Sequence, residues 1–130
     1  MLTQFTKILE KYRRESFSEA DKGTRFEELM REYLWSDPKY YIYFNEIWLW
    51  RDFPFRKDFG TGHDVGIDLV ARTHDGQYWA IQCKCYKEDA YIQKADVDTF
   101  ITTAMKQFSD ENMLPTKFSQ LVWIATTDKF

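Results

Sequence analysis

Residues 67–86 read IDLVARTHDGQYWAIQCKCY, two runs of alternating β-forming residues around Asp75-Gly76. An Asp-Gly pair between alternating apolar runs is a strong hairpin signal, so the spacing predicts one strand at about 67–72 and another at about 77–86. Alternate side chains of a strand point to opposite faces. In the second arm Trp79, Ile81, Cys83 and Cys85 share one face, and Ala80, Gln82, Lys84 and Tyr86 share the other. In the first arm Ile67 and Leu69 oppose Asp68 and Val70. A buried ammonium or carboxylate is costly unless it is paired or reaches a cleft. Lys84 therefore needs a negative partner or solvent, and Asp68 in the other arm is the carboxylate at hand. If the two polar faces coincide, one side of the hairpin presents a carboxylate, an amide oxygen and an ammonium group together.

Other elements fall around this hairpin. Leu2, Phe5, Ile8, Leu9 and Tyr12 are spaced for an amphipathic helix over residues 2–15. SEADKG reads as a polar break, after which Thr24 to Glu27 matches a capping box opening a second helix, stopped by Asp37-Pro38. YYIYFNEIWLW, residues 40–50, reads as an aromatic-rich strand whose Trp48 and Trp50 belong to the core. Residues 95–108 place Val97, Phe100, Ile101, Ala104, Met105 and Phe108 on one helical face, with Asp96 as cap. SQLVWIATT reads as a last buried strand. Helices and strands in this order suggest an α/β sandwich with a mixed sheet.

The chain of 130 residues suits one domain with a core of its own. Its net charge of -3 excludes a strong overall basic field, while leaving room for a local basic groove or an acidic metal site. No apolar run reaches the roughly 20 residues that span a bilayer, and no signal peptide opens the chain, so no membrane partner and a cytoplasmic location are expected. The two cysteines, two apart on one strand face, are read as reduced core thiols. The chain closes on ATTDKF directly after a strand, with Thr-Asp poised to start a helix, and the expectation is an N-terminal fragment of a longer multidomain protein.

Asp68, thirteen intervening residues, then Gln82-Cys83-Lys84 resembles the D…(E/Q)xK signature of the PD-(D/E)XK nuclease superfamily. GTRFEELM, GHDVGIDLVA and WAIQCKCY together resemble its Mrr-like restriction endonuclease branch, which carries Gln in place of the usual Glu. IWLWRDFPF before GIDLVA further resembles the N-terminal nuclease of single-chain type I (type ISP) restriction-modification enzymes. The resemblance covers residues 23–127 as a nuclease core, with residues 1–20 as an extra N-terminal helix. It implies a restriction-endonuclease-like three-layer sandwich, with a central mixed β-sheet flanked by helices. It implies a Mg²⁺-dependent endonuclease, Mn²⁺ substituting, that hydrolyses DNA phosphodiester bonds with little sequence preference of its own. Asp68, Gln82 through its side-chain oxygen, the Cys83 backbone carbonyl and Glu27 as a further carboxylate are the implied metal ligands. Lys84 is implied to orient the attacking water or stabilise phosphate charge. Implied partners are DNA, the helicase or translocase, methyltransferase and target-recognition domains of the same polypeptide, and a second nuclease copy during cleavage. Lys87 and Lys94, just beyond the second strand, are candidate DNA-backbone contacts.

Each assignment has a plainer counterpart. Lys84 and Asp68 could form a structural ion pair. The capping box alone accounts for Glu27, with Glu28 as its competitor; Asp64 could brace a turn or reach the metal through water. His63 and His74 with Cys83 and Cys85 lack zinc-ligand spacing. A cleavage-dead DNA-docking module, or a junction-resolving or RNA-cutting nuclease of the same superfamily, would use the same fold.

Overall fold

The structure is a computed structural model that describes residue 7 and residues 19–59, 66–84 and 92–125, with backbone alone at 19–24. The expected helix at 2–15, apart from Lys7, lies outside the described residues, as do His63, Asp64, Cys85 and Lys87.

Helix α1 (Glu19–Ser36) starts earlier than the capping box predicts, so Thr24 is interior rather than a cap. Glu, Ala, Asp and Lys at 19–22 carry the helix across Gly23, whose cost of about 1 kcal/mol packing of the following turns offsets. Phe26, Met30 and Leu34 recur at helical spacing and are fully buried against the sheet, each contributing roughly 1.5–3 kcal/mol. Asp37 ends α1 and caps the next element, accepting a hydrogen bond from the Lys39 N–H at 2.8 Å, with Pro38 at the first helical position. That cap folds Pro38–Tyr41 into a short helix, α2, and delays the predicted strand, which runs only over Phe44–Leu49 (β1). Two 3-10 turns follow, Trp50–Asp52 and Arg56–Phe59.

The predicted hairpin is present as β2 (Leu69–Thr73) and β3 (Tyr78–Lys84). Its turn carries Gly76 at φ +87°, a conformation glycine adopts without a Cβ penalty. Helix α3 spans Lys94–Ala104 with Gln93 at the cap position, so Asp96 lies inside the first turn rather than capping it. Phe108 leaves the predicted helix for a two-residue strand, β4 (Phe108–Ser109), paired with β5 (Pro115–Thr116). Strand β6 (Gln120–Ala125) completes a four-stranded sheet of order β1-β2-β3-β6, antiparallel except for the parallel β3/β6 pair. β6 is half-exposed rather than buried, because β3 is its one neighbour among the described strands.

Two apolar cores flank the sheet, which makes the three-layer sandwich. On one face Phe26, Met30 and Leu34 of α1 pack on Leu69, Ile81 and Cys83. On the other, Phe100 and Ala104 of α3 pack with Val70, Tyr78, Ala80 and an aromatic cluster centred on Phe53. Trp48 and Trp50 join that second cluster, as expected of core residues. The period-2 reading thus separates the faces correctly along β3: Cys83 points to α1, whereas Ala80 and Lys84 point to α3. Ile101 and Met105, expected on the buried stripe of α3, are exposed.

Gly66 joins the loop before β2 to α3. Its φ is +75°, and a Cβ there would lie 3.3 Å from the Phe100 Cα. Gly66→Ala is expected to cost about 1–3 kcal/mol, from left-handed strain and from displacing the α3 backbone. Urea unfolding of the variant checks this, and unchanged stability would contradict the close approach.

Candidate active site

Asp68 lies one residue before β2, and its carbonyl accepts the Trp50 N–H at 2.8 Å. Its N–H donates to the Ile81 carbonyl at 2.9 Å, and its carboxylate accepts the Cys83 N–H at 2.8 Å. The carboxylate therefore clamps the open end of the hairpin and lies against the peptide that joins Gln82 to Cys83. From α1, the Glu27 side chain reaches the same place and hydrogen-bonds Asp68. The neighbouring Glu28 turns instead to Arg25 at 3.7 Å and Arg51 at 3.8 Å. With Thr24 inside the helix, a capping box no longer explains Glu27; its contact with Asp68 does.

Two carboxyl groups in contact cannot both be ionised cheaply. The Glu27 carboxyl is pushed up to about 8, first by burial, then by its hydrogen bond to Asp68 and the Asp68 charge, with Arg51 pulling the other way. The folded state therefore holds a proton on Glu27 that the unfolded chain has released above its ordinary value of 4.5. In metal-free buffer, stability is expected to fall as pH rises from about 4.5 to about 8. Glu27→Gln removes that dependence and, with solvent screening of a half-buried group, is expected to gain on the order of 1–2 kcal/mol at pH 8.5 over wild type. Urea unfolding in EDTA at pH 5 and 8.5 measures it; equal pH slopes in the two proteins would contradict a shared proton.

Gln82 and Lys84 follow on β3. The Gln82 Oε1 atom is buried and has no hydrogen-bond partner, an arrangement that costs roughly 1–3 kcal/mol unless a ligand satisfies it. Lys84 is not a buried lysine facing Asp68, as the sequence suggests; its side chain is 40% exposed and its Nζ lies 3.7 Å from Asp96 Oδ2 on α3. Asp96, read from sequence as a cap, is the carboxylate beside the lysine. The eleven residues between them leave no periodic signal that could have revealed the pair.

The donor set fits a hard divalent cation. Among the described residues no three His, Cys, Asp or Glu side chains gather into a cluster, so a cation here would have to rest on the Glu27 and Asp68 carboxylates together with neutral oxygens. The unpartnered Gln82 Oε1 is such an oxygen, and Mg²⁺ is commonly held by one or two carboxylates plus waters and substrate phosphate. A zinc site does not assemble from the described ligands. Burial pushes the Cys83 thiol well up, as for an inert core cysteine, and His74 sits beyond the far end of β3 in the hairpin turn. Lys94 is exposed at the start of α3, 2.6 Å from Asp98 one turn on. An apolar groove of about 300 Å³ between Tyr33, Tyr40, Trp79 and Ile124 contains none of these groups.

A family model described as restriction endonuclease matches residues 35–130, about three quarters of the chain. The chain belongs to the Mrr-type restriction endonuclease family. The match takes in Asp68, Gln82 and Lys84 of this restriction endonuclease domain, while Glu27 lies ahead of it on α1. In fold the domain is similar to the ATP-dependent Type ISP restriction-modification enzyme LlaBIII, whose structure was solved bound to DNA. The TM-score is 0.61 at 22% identity, over 98% of this chain and 7% of that enzyme. The restriction endonuclease domain thus spans a small part of that relative's length. No curated protein matches it in sequence.

Proposed function

We propose that this domain is a divalent-metal-dependent endodeoxyribonuclease, using Mg²⁺ with Mn²⁺ as substitute. The observation that carries the reading is the Glu27–Asp68 carboxyl pair meeting the Gln82-Cys83 peptide in a chain of the restriction endonuclease family, with a buried, unpartnered side-chain oxygen on Gln82 of the same strand. A bound cation supplies neutralisation of phosphate charge and a lowered pKa for an attacking water. Asp68 and Glu27 provide negative charge at the hairpin end once Glu27 gives up its proton. Gln82, neutral where the wider superfamily has Glu, leaves the Glu27 carboxylate to restore the missing charge. The Cys83 carbonyl is the remaining oxygen of the ligand set. Lys84, half-exposed on the α3 side, is positioned to meet substrate phosphate from solvent and to exchange its contact with Asp96 for one with DNA.

The substrate is duplex DNA, cut with little sequence preference: the net charge is -3, and no described helix presents a basic reading surface. The likeness in fold to a far longer ATP-dependent Type ISP restriction-modification enzyme bound to DNA supports a reading in which other parts of a longer polypeptide, a helicase or translocase, a methyltransferase and a target-recognition domain, choose and deliver the DNA. Lys94, released from Asp98, and Lys87 are assigned to the DNA backbone. Incubating the protein with duplex, branched-DNA and RNA substrates, in Mg²⁺ or in EDTA, tests the assignment. Cation-dependent cutting confined to duplex DNA is expected; preference for a branched substrate or RNA would overturn the substrate class.

A further inference from the structure

Trp123 carries the second buried, unpartnered polar atom of the described residues, its indole Nε1. On the parallel β3/β6 pair Gln82 and Trp123 are direct register partners, so their side chains leave the sheet on the same face. That face is the one covered by α3: Trp123 packs on Phe100 with ring centroids 6.0 Å apart, and Lys84, two residues from Gln82, reaches Asp96. An orphaned acceptor and an orphaned donor of complementary chemistry thus stand on neighbouring strands.

A carboxylate presents an oxygen whichever way it turns, whereas a carboxamide has one accepting end and one donating end. Gln82 can serve a cation only if its oxygen, not its amide nitrogen, is held toward the site. The indole N–H donates and cannot accept, so it selects the oxygen end. The carbonyl oxygen has two lone pairs, one for the indole and one for a cation.

We propose that Trp123 is a positioning residue for Gln82. Its indole N–H, through one bridging water, fixes the carboxamide with its oxygen toward the metal site, an orientation that a glutamate at this position would not need. The inference rests on the assignment of Gln82 as a cation ligand. Outer-shell partners of metal ligands are typically worth about 10–100-fold in metal affinity.

The test is a double-mutant cycle read by Mn²⁺ binding, with Trp123→Phe keeping an aromatic ring against Phe100. In the Gln82 protein Trp123→Phe is expected to weaken Mn²⁺ binding about tenfold, whereas in the Gln82→Glu background the same change is expected to shift it less than about twofold. Equal weakening in both backgrounds would mean that Trp123 acts through packing alone and would overturn the proposal. Weaker binding in Gln82→Leu with no effect of Trp123→Phe would overturn it while leaving Gln82 a ligand. If Gln82→Leu also left Mn²⁺ binding unchanged, both the proposal and the ligand assignment would fail. A readout independent of Trp123 replacement is the ¹⁵N–¹H indole signal of Trp123, one of five tryptophans. Gln82→Leu is expected to move that signal alone among the five indole signals, and an unmoved signal would count against the contact.

Discussion

Asp68→Asn is expected to abolish metal-dependent cleavage, lowering the rate by at least about a hundredfold to a thousandfold, in a protein that still folds. Asparagine keeps the shape of the side chain and an oxygen able to accept the Cys83 N–H, the bond that closes the hairpin end at 2.8 Å. It removes the negative charge that the site needs. Because the Asp68 charge is one of the forces holding the Glu27 proton, the variant should also release part of the upward shift at Glu27. Cleavage kinetics at matched circular dichroism, together with Mn²⁺ binding, separate these effects. Wild-type cutting by Asp68→Asn would move the metal site elsewhere.

Lys84→Ala is expected to cost a similar factor in rate, about a hundredfold to a thousandfold, by a different route. Lys84 places a positive charge on the α3 side and is assigned no part in holding the cation, so Mn²⁺ affinity in Lys84→Ala is expected to stay within about threefold of wild type. Its contact with Asp96 is a half-exposed ion pair, with the two side chains 40% and 39% exposed; such pairs contribute about 0–1 kcal/mol, so stability should hardly change. A rate loss accompanied by equal loss of metal binding would place Lys84 in the ligand shell rather than beside it.

How far the sequence foretells this site depends on the range of each interaction. The hairpin was legible because Asp75-Gly76 and the period-2 alternation are local, and they put Cys83 and Lys84 on opposite faces correctly. Asp68 escaped the same rule: it lies one residue before β2, its N–H still bonds the Ile81 carbonyl, and its carboxylate turns along the sheet to the Cys83 N–H. Asp37-Pro38 is visible as a helix stop, but the same pair is also a cap and first helical position, and it draws Tyr40 and Tyr41, which the pattern assigns to a strand, into α2. Pairings across the fold left no trace in spacing. Glu27 meets Asp68 only because α1 crosses the hairpin end, and Lys84 meets Asp96 only because α3 packs beside β3. Trp123 was legible as strand but not as a neighbour of Gln82, since that follows from the β3/β6 register.

The central claim is that a divalent cation held at Glu27, Asp68 and Gln82 enables this domain to break the DNA backbone. Nicking of supercoiled plasmid by the wild-type protein, with Mg²⁺ or Mn²⁺ against EDTA and with Lys84→Ala in parallel, measures it most directly. Cation-dependent nicking lost in Lys84→Ala is the predicted result. DNA bound but left uncut in either cation would contradict the claim and make the fold a docking module.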